Sequence, residues 1–278
     1  MNLLTLTSIL FVGAVVAGLI GALSGLGGGV IIVPLLTILL KVDIKYAIGT
    51  ALVSVIATSS GAAAAYVKEG YSNVRIGMFL EVATTIGAVT GAWVAGWLPA
   101  ETIAIVFGFV LLGSVAMALR GHPEGEIGEK PDPLALKLQL NGTFPTPNGL
   151  QSYCPTHVPG GWAMMFVAGI LSGLLGIGSG ALKVLAMDQI MKLPFKVSTT
   201  TSNFMIGVTA AASAGIYLNR GYIDPVLCMP VLLGVLLGAL LGSKILAHAK
   251  VGVLRVVFNI VLAALAVQMI YSGLTGSL

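Results

Sequence analysis

Three observations predict an all-α integral membrane protein built from two homologous halves. Only 9% of the 278 residues are charged and 57% are hydrophobic, whereas soluble domains carry roughly 25% charged residues. Apolar runs of about 20 residues recur between short polar breaks, long enough to cross roughly 30 Å of hydrocarbon. The second half of the chain also repeats the first at a fixed offset.

The apolar runs cover 3–23, 30–40, 47–66, 75–97 and 101–119, and then 161–175, 181–191, 197–218, 224–247 and 253–271. Lipid demands that backbone groups be satisfied within a segment, which makes these runs helices. A barrel would need alternating polarity, and these runs are apolar all round. No Lys or Arg precedes Lys41, so 3–23 lacks the basic flank of a secretory signal and reads as a retained span.

Residues 120–160 break the pattern with seven prolines (Pro123 to Pro159) and charges from Arg120 to Lys137. This is a linker outside the hydrocarbon. Leu134–Leu140 is expected to form a short surface helix, and the rest to be irregular. The chain thus divides into a first transmembrane repeat (1–119), a polar linker (120–160) and a second repeat (161–278).

Shifting the second half back by 151 positions reveals the repeat. Ala17-Gly18 falls on Ala168-Gly169, and Gly25, Gly27 and Gly29 on Gly176, Gly178 and Gly180. Lys41, Lys45, Thr50, Thr58 and Tyr66 fall on Lys192, Lys196, Thr201, Thr209 and Tyr217, and Gly70-Tyr71 on Gly221-Tyr222. Apolar residues align by chance, but such a series of glycines, lysines and tyrosines does not.

Each half opens with a glycine-broken pair of segments and continues with three full spans. The short member, 30–40, spans about 16 Å as a helix, half a bilayer. If each pair doubles back, the halves are inverted. Lys68, Arg75, Arg120, Lys130, Lys137, Lys192, Lys196, Lys244, Lys250 and Arg255 then share one side, against Lys41, Lys45 and Arg220 on the other. Parallel halves would split the same charges almost evenly. Basic loops mark the cytoplasmic side, so inversion is expected, with the linker in the cytoplasm and both termini outside. Two hairpins would then meet near the midplane, as in many secondary transporters.

The first candidate site is Ser24-Gly25-Leu26-Gly27-Gly28-Gly29, with Gly176, Gly178, Ser179 and Gly180 as its partner. Glycines let backbone N–H groups approach a ligand, and a following helix start favours an anion. Close helix packing is the alternative. A dinucleotide site is not supported, because the G-x-G-x-x-G spacing is absent. Lys183 lies nine residues inside Lys192, about 13 Å deep, where an ammonium usually faces a polar cavity. It reads as the fixed positive charge for an anionic substrate, or else it snorkels or pairs with Asp188. Its first-half counterpart is Ile32. Thr201, Ser202 and Asn203, with Thr50 and Ser54 in the first half, could hydrogen-bond an oxyanion or cap their helix. Glu81 is a proton-carrying candidate, as is Asp188, although an interfacial pair of Glu81 with Arg75 is the more ordinary expectation. Gly87/Gly91 and Gly234/Gly238/Gly242 read as packing faces.

Gly25-Leu26-Gly27-Gly28-Gly29, Pro34 in a short apolar run, and Ala47-Ile48-Gly49-Thr50, with a second-half echo after a central loop, resemble the sulfite exporter TauE/SafE family of membrane permeases. The resemblance covers about 10–119 and 161–271. It implies transport of small sulfur-containing anions, such as sulfite or organosulfonates, coupled to the proton gradient, in the cell membrane; together with the inverted halves this reads as an exporter using alternating access around a midplane site. The second half departs from the family pattern at Ser179, Leu185 and Lys183.

Two other classes stay open, an anion channel and a membrane enzyme or assembly factor with a clustered His/Asp/Glu or Cys site at depth, and the carried anion could instead be a carboxylate. An enzyme is not expected, because His122, His157 and His248 all lie outside the spans or at interfaces. His122, Cys154 and His157 fit no compact metal site. No cofactor is implied. The expected partners are a small anionic substrate and the lipid bilayer, a homo-oligomer being compatible with this. The net charge of +4 is dispersed rather than striped, which argues against nucleic acid.

Overall fold

In a computed structural model, residues 3–24, 28–68, 72–119, 132–146, 149–246 and 251–276 are described. Helix α1 is Leu3–Ser24. Helix α2, Gly29–Pro34, runs directly into a π-helical turn, Leu35–Leu39. Then follow α3 (Ile44–Lys68), α4 (Val74–Ala95) and α5 (Ala100–Leu119). The second half gives α7 (Val158–Leu175), after a short linker helix α6 (Pro133–Lys137). Next come α8 (Gly180–Leu185) with its π-helical turn Ala186–Ile190, α9 (Phe195–Asn219), α10 (Pro225–Leu246) and α11 (Val251–Thr275).

The offset of 151 survives into the backbone. Both π-helical turns, and both α3 and α9, keep it at each end. Lys41 and Lys192 end their short helices with φ of 54° and 55°, a left-handed conformation that L-residues adopt sparingly. The first π-helical turn follows Pro34, but the second follows Leu185. Proline is therefore not what widens it.

The packing exchanges partners between the halves. α1 lies along α10 and α4 along α7, while α3 pairs with α9 and α5 with α11. Small residues permit this closeness. Gly234 and Gly238 face the carbonyls of Phe11 and Val15, and Gly87 and Gly91 those of Phe166 and Ile170. In both seams residue numbers rise together, so those helices run parallel. α3 and α9 run antiparallel. Asn73, past the end of α3, donates to Thr201 near the start of α9, and Gly49 sits against the carbonyl of Tyr222, past the end of α9. α5 and α11 are antiparallel too, with Gly108 against Ala266 and Ile270, and Gly273 against Glu101 and Ile105.

Among the described residues, α4 and α7 each have the length and apolar composition to cross a membrane. The outer faces carry Met78, Val82, Ile86, Leu237, Leu240, Ile260 and Val267, all exposed. That succession of large apolar side chains suits lipid rather than water.

The linker differs from expectation. α6 forms, capped by Asp132, whose carboxylate accepts from Leu134 N and Val158 N. Beyond it the chain is not irregular: β1 (Gly142–Thr146) and β2 (Gly149–Tyr153) pair antiparallel as a hairpin. The hairpin is tied to the helix ends. Asn73 Nδ2 donates to Tyr153 Oη, Asn73 Oδ1 caps α4 by accepting from Ile76 N, and Arg75 donates to Gln139. Burial keeps the Tyr153 hydroxyl protonated above its ordinary range, outweighing the opposing effect of the Asn73 bond. Ala135, Leu140 and Tyr153 join Ile76, Leu80, Met187 and Met205 in one apolar cluster, so the linker closes over the second short helix.

Candidate functional site

The two glycine-broken segments meet. A Cβ on Gly29 would lie 2.8 Å from the carbonyl oxygen of Gly176 and 2.7 Å from Val55. Gly176 and Gly178 adopt φ of 69° and 71° and sit against Ile48 and Ile206. At these positions the missing side chain serves both a left-handed turn and close approach. Gly28 is likewise packed against Val235. Gly25, Leu26 and Gly27 fall outside the described residues, as do Gly70, Tyr71, the run from Arg120 to Lys130 with His122, and His248 and Lys250. The Ser24 side chain is likewise outside them.

Beside this meeting point lies a buried polar chain. Lys183, on α8, has 0% exposure. Its ammonium donates to Thr209 Oγ1 on α9. Thr209 passes its single proton to Glu81 Oε1 on α4 at 2.6 Å, in competition with the Met205 carbonyl at 3.0 Å. Lys183 Nζ stands 3.9 Å from Glu81 Oε2, and Thr85 donates to Glu81 Oε1 at 3.3 Å. Three elements from both halves thus converge on one ion pair with a bridging hydroxyl. A buried charge requires such a partner.

The carboxylate that Lys183 reaches is therefore that of Glu81. The interfacial pairing of Glu81 with Arg75 is not what forms: Glu81 is 5% exposed and turned inward, while Arg75 bonds Gln139. α4 carries its polar groups on two faces, and six residues separate the two. Thr209 was visible only as a repeat position matching Thr58. One further signal existed in the sequence: at the 151 offset Glu81 falls on Leu232, as Lys183 falls on Ile32. Both charges replace apolar residues, and they replace them in opposite halves.

The remaining candidates divide. Ser202 borders the site, its hydroxyl donating to the Gly180 carbonyl at 3.2 Å. It lies two turns before Thr209 on the same face of α9. Thr201 is engaged by Asn73 N, and Asn203 is half-buried. Thr50 accepts from Cys228 of α10, and Ser54 donates to the Ala51 carbonyl within α3. Asp188 is buried in the π-helical turn of the same hairpin. Ser179, with φ of 47°, has a buried hydroxyl without a hydrogen-bond partner among the described residues. It lines a small, mostly apolar crevice with Val30, Leu111, Ser114, Gly180 and Leu182. This crevice reaches the residue next to Lys183.

Comparisons with known proteins place the sequence in a family of membrane transporters. Residues 10–269 match the Sulfite exporter TauE/SafE family. Probable membrane transporter protein YunE of Bacillus subtilis (strain 168) is 30% identical over 274 residues, covering 96% of this chain and 98% of the relative. Probable membrane transporter protein YdhB of the same organism is 28% identical over 238 residues, covering 85% and 87%. A transporter of the same description from Methanocaldococcus jannaschii is 23% identical over 283 residues, covering 96% of each chain. No solved structure gives a significant match. The chain belongs to the TauE/SafE sulfite exporter family and is a multi-pass membrane transporter rather than an enzyme.

Proposed function

We propose that the protein is a secondary transporter of small sulfur-containing anions, such as sulfite or organosulfonates, exporting them across the cell membrane with flux coupled to the proton gradient. The observation that carries this reading is Lys183: a fully buried cation in a short helix that starts at a glycine turn. Intramembrane cations of this kind accompany anion pathways. Ser202, Thr209 and the orphan hydroxyl of Ser179 are the oxyanion donors nearest to it.

The two halves are proposed to be inverted repeats that alternate access around this point. The direction of the paired counterparts supports inversion, since α3 and α9 are equivalent in the repeat yet antiparallel, as are α5 and α11. Equivalent helices in parallel halves would point the same way. The distribution of basic residues supports a cytoplasmic linker and external termini. Full burial of Lys183 supports a carrier over an open pore.

Uptake of labelled sulfite, thiosulfate and a small sulfonate into proteoliposomes tests the reading. Saturable flux of one anion, dependent on the pH gradient and abolished in Lys183→Ala, is expected. Unaltered flux in that variant would make Lys183 structural. The absence of flux for every sulfur anion would move the substrate to carboxylates or other small anions.

A further inference from the structure

We infer that Glu81 is the proton-binding partner of the Lys183 anion site, so that the protein moves a monovalent anion together with a proton, without net charge. This coupling presupposes the anion transport proposed above. Glu81 Oε1 is occupied by Thr209 and Thr85, but Oε2 has no hydrogen-bond partner among the described residues and faces Lys183 Nζ at 3.9 Å. The carboxylate is thus the resident anion of Lys183, and its second oxygen is positioned to accept a proton.

The other ionisable groups on neighbouring elements are engaged or distant in the chain. α7 carries none between Val158 and Leu175. On α9, Lys196 is exposed at the first turn, and Tyr217 donates to the Gly173 carbonyl. Asp188 is buried five residues beyond Lys183. In the linker, Asp132 accepts from Leu134 N and Val158 N, Tyr153 bonds Asn73, Lys137 and His157 are exposed, and Cys154 is half-buried. On α4 itself Arg75 bonds Gln139.

Charge counting then fixes the coupling. An anion that seats on Lys183 must take the place of the carboxylate. Two anions beside a single ammonium leave uncompensated charge in a dry interior, and neighbouring like charges favour protonation of one of them. A proton on Glu81 Oε2 removes the excess. The empty site (Lys183 cation, Glu81 anion) and the loaded site (cation, bound anion, neutral Glu81) are both neutral. A proton without an anion, or an anion without a proton, leaves a buried net charge, which is disfavoured. The partners must therefore travel in the same direction. An acid exterior drives the anion inward, and net export requires the outward anion gradient to exceed the proton gradient. A dianion leaves excess charge even with Glu81 protonated, so the site selects monoanions such as sulfonates and hydrogen sulfite.

Proteoliposomes containing the full chain test this with labelled methanesulfonate, whose charge does not titrate, and with thiosulfate as the dianion. The expected wild-type result is methanesulfonate uptake driven by an acid exterior and indifferent to an imposed potassium-diffusion potential. About one proton should enter per anion, and thiosulfate should move roughly tenfold more slowly. In Glu81→Gln any methanesulfonate flux should be free of proton entry and should follow the potential, and proton-coupled flux in this variant would overturn the assignment of Glu81. Methanesulfonate flux in the wild type that follows the potential without proton entry would overturn the coupling while leaving anion transport standing. If no monoanion moves at all, both the coupling and the anion-transport reading fail. Should Glu81→Gln not fold, the wild-type proton-to-anion ratio decides alone.

Discussion

Replacing Gly91 or Gly173 by alanine is expected to open the α4–α7 seam, whereas the same change at Gly113 or Gly215 is expected to stabilise the protein. A Cβ on Gly91 would lie 2.8 Å from the carbonyl carbon of Ile170 and 2.9 Å from its Cα, with the oxygen nearer still. On Gly173 it would lie 2.8 Å from the carbonyl carbon of Ala88 and 2.9 Å from Ala92 N. All these are backbone atoms, which no rotamer change can move aside. Non-bonded carbons rest at about 3.5–4.0 Å, so the helices must part by on the order of 1 Å, forfeiting a quarter to a half of the dispersion energy along the seam. Overpacking of this kind costs about 1–3 kcal/mol. At Gly113 and Gly215 nothing lies within 4 Å, and an alanine there gains about 0.5–1 kcal/mol because the unfolded chain is less free. Unfolding midpoints in a graded denaturing detergent, followed by far-ultraviolet circular dichroism, should place the two pairs on opposite sides of wild type. Shifts of one sign for all four variants would refute the packing account.

Two further outcomes are expected. Lys183→Ile and Glu81→Leu, which copy the apolar counterparts Ile32 and Leu232, should each destabilise by about 3–5 kcal/mol, because each leaves a buried charge alone. The double variant should recover most of that loss while no longer transporting; the same detergent titration measures the cycle, and additive losses would show that the two side chains are not coupled. Tyr153→Phe should cost about 1 kcal/mol or less and accelerate hydrogen exchange and proteolysis within the β1–β2 hairpin. Asn73→Ala removes the α4 cap as well and should cost about 1–2 kcal/mol; equal exchange rates in Tyr153→Phe and wild type would mean that the hairpin is held by other contacts.

The spans were legible because hydrocarbon imposes length and composition on any helix that crosses it, and the glycine-broken pairs because glycines interrupt the apolar pattern of both halves at one offset. The hairpin at Gly142–Tyr153 was not read, although Asn148-Gly149 is a hairpin signal; Pro145 and Pro147 outweighed it. Anchoring by Asn73, Arg75 and Asp132 supplies what local propensity lacks, and such tertiary bonds leave no mark in the linker's own sequence. The π-helical turns were equally invisible, since Pro34 and Leu185 precede the same geometry.

The site shows the same division more sharply. Lys183 was legible as a charge in the wrong solvent, but its partner was sought nearby in sequence, at Asp188. Helix periodicity ranks neighbours only within one helix, and the partner lies in the other half. What identifies it is comparison across the repeat. Where the halves agree, as at Gly29/Gly180 and Lys41/Lys192, the residues start and end the short helices that both halves need. Where they disagree in charge, at Ile32/Lys183 and Leu232/Glu81, the two exceptions face each other across Thr209. A duplicated scaffold can be built twice from the same instructions. A single ion pair at its centre must be written once, with one member in each half, and that is where this chain departs from its own repeat.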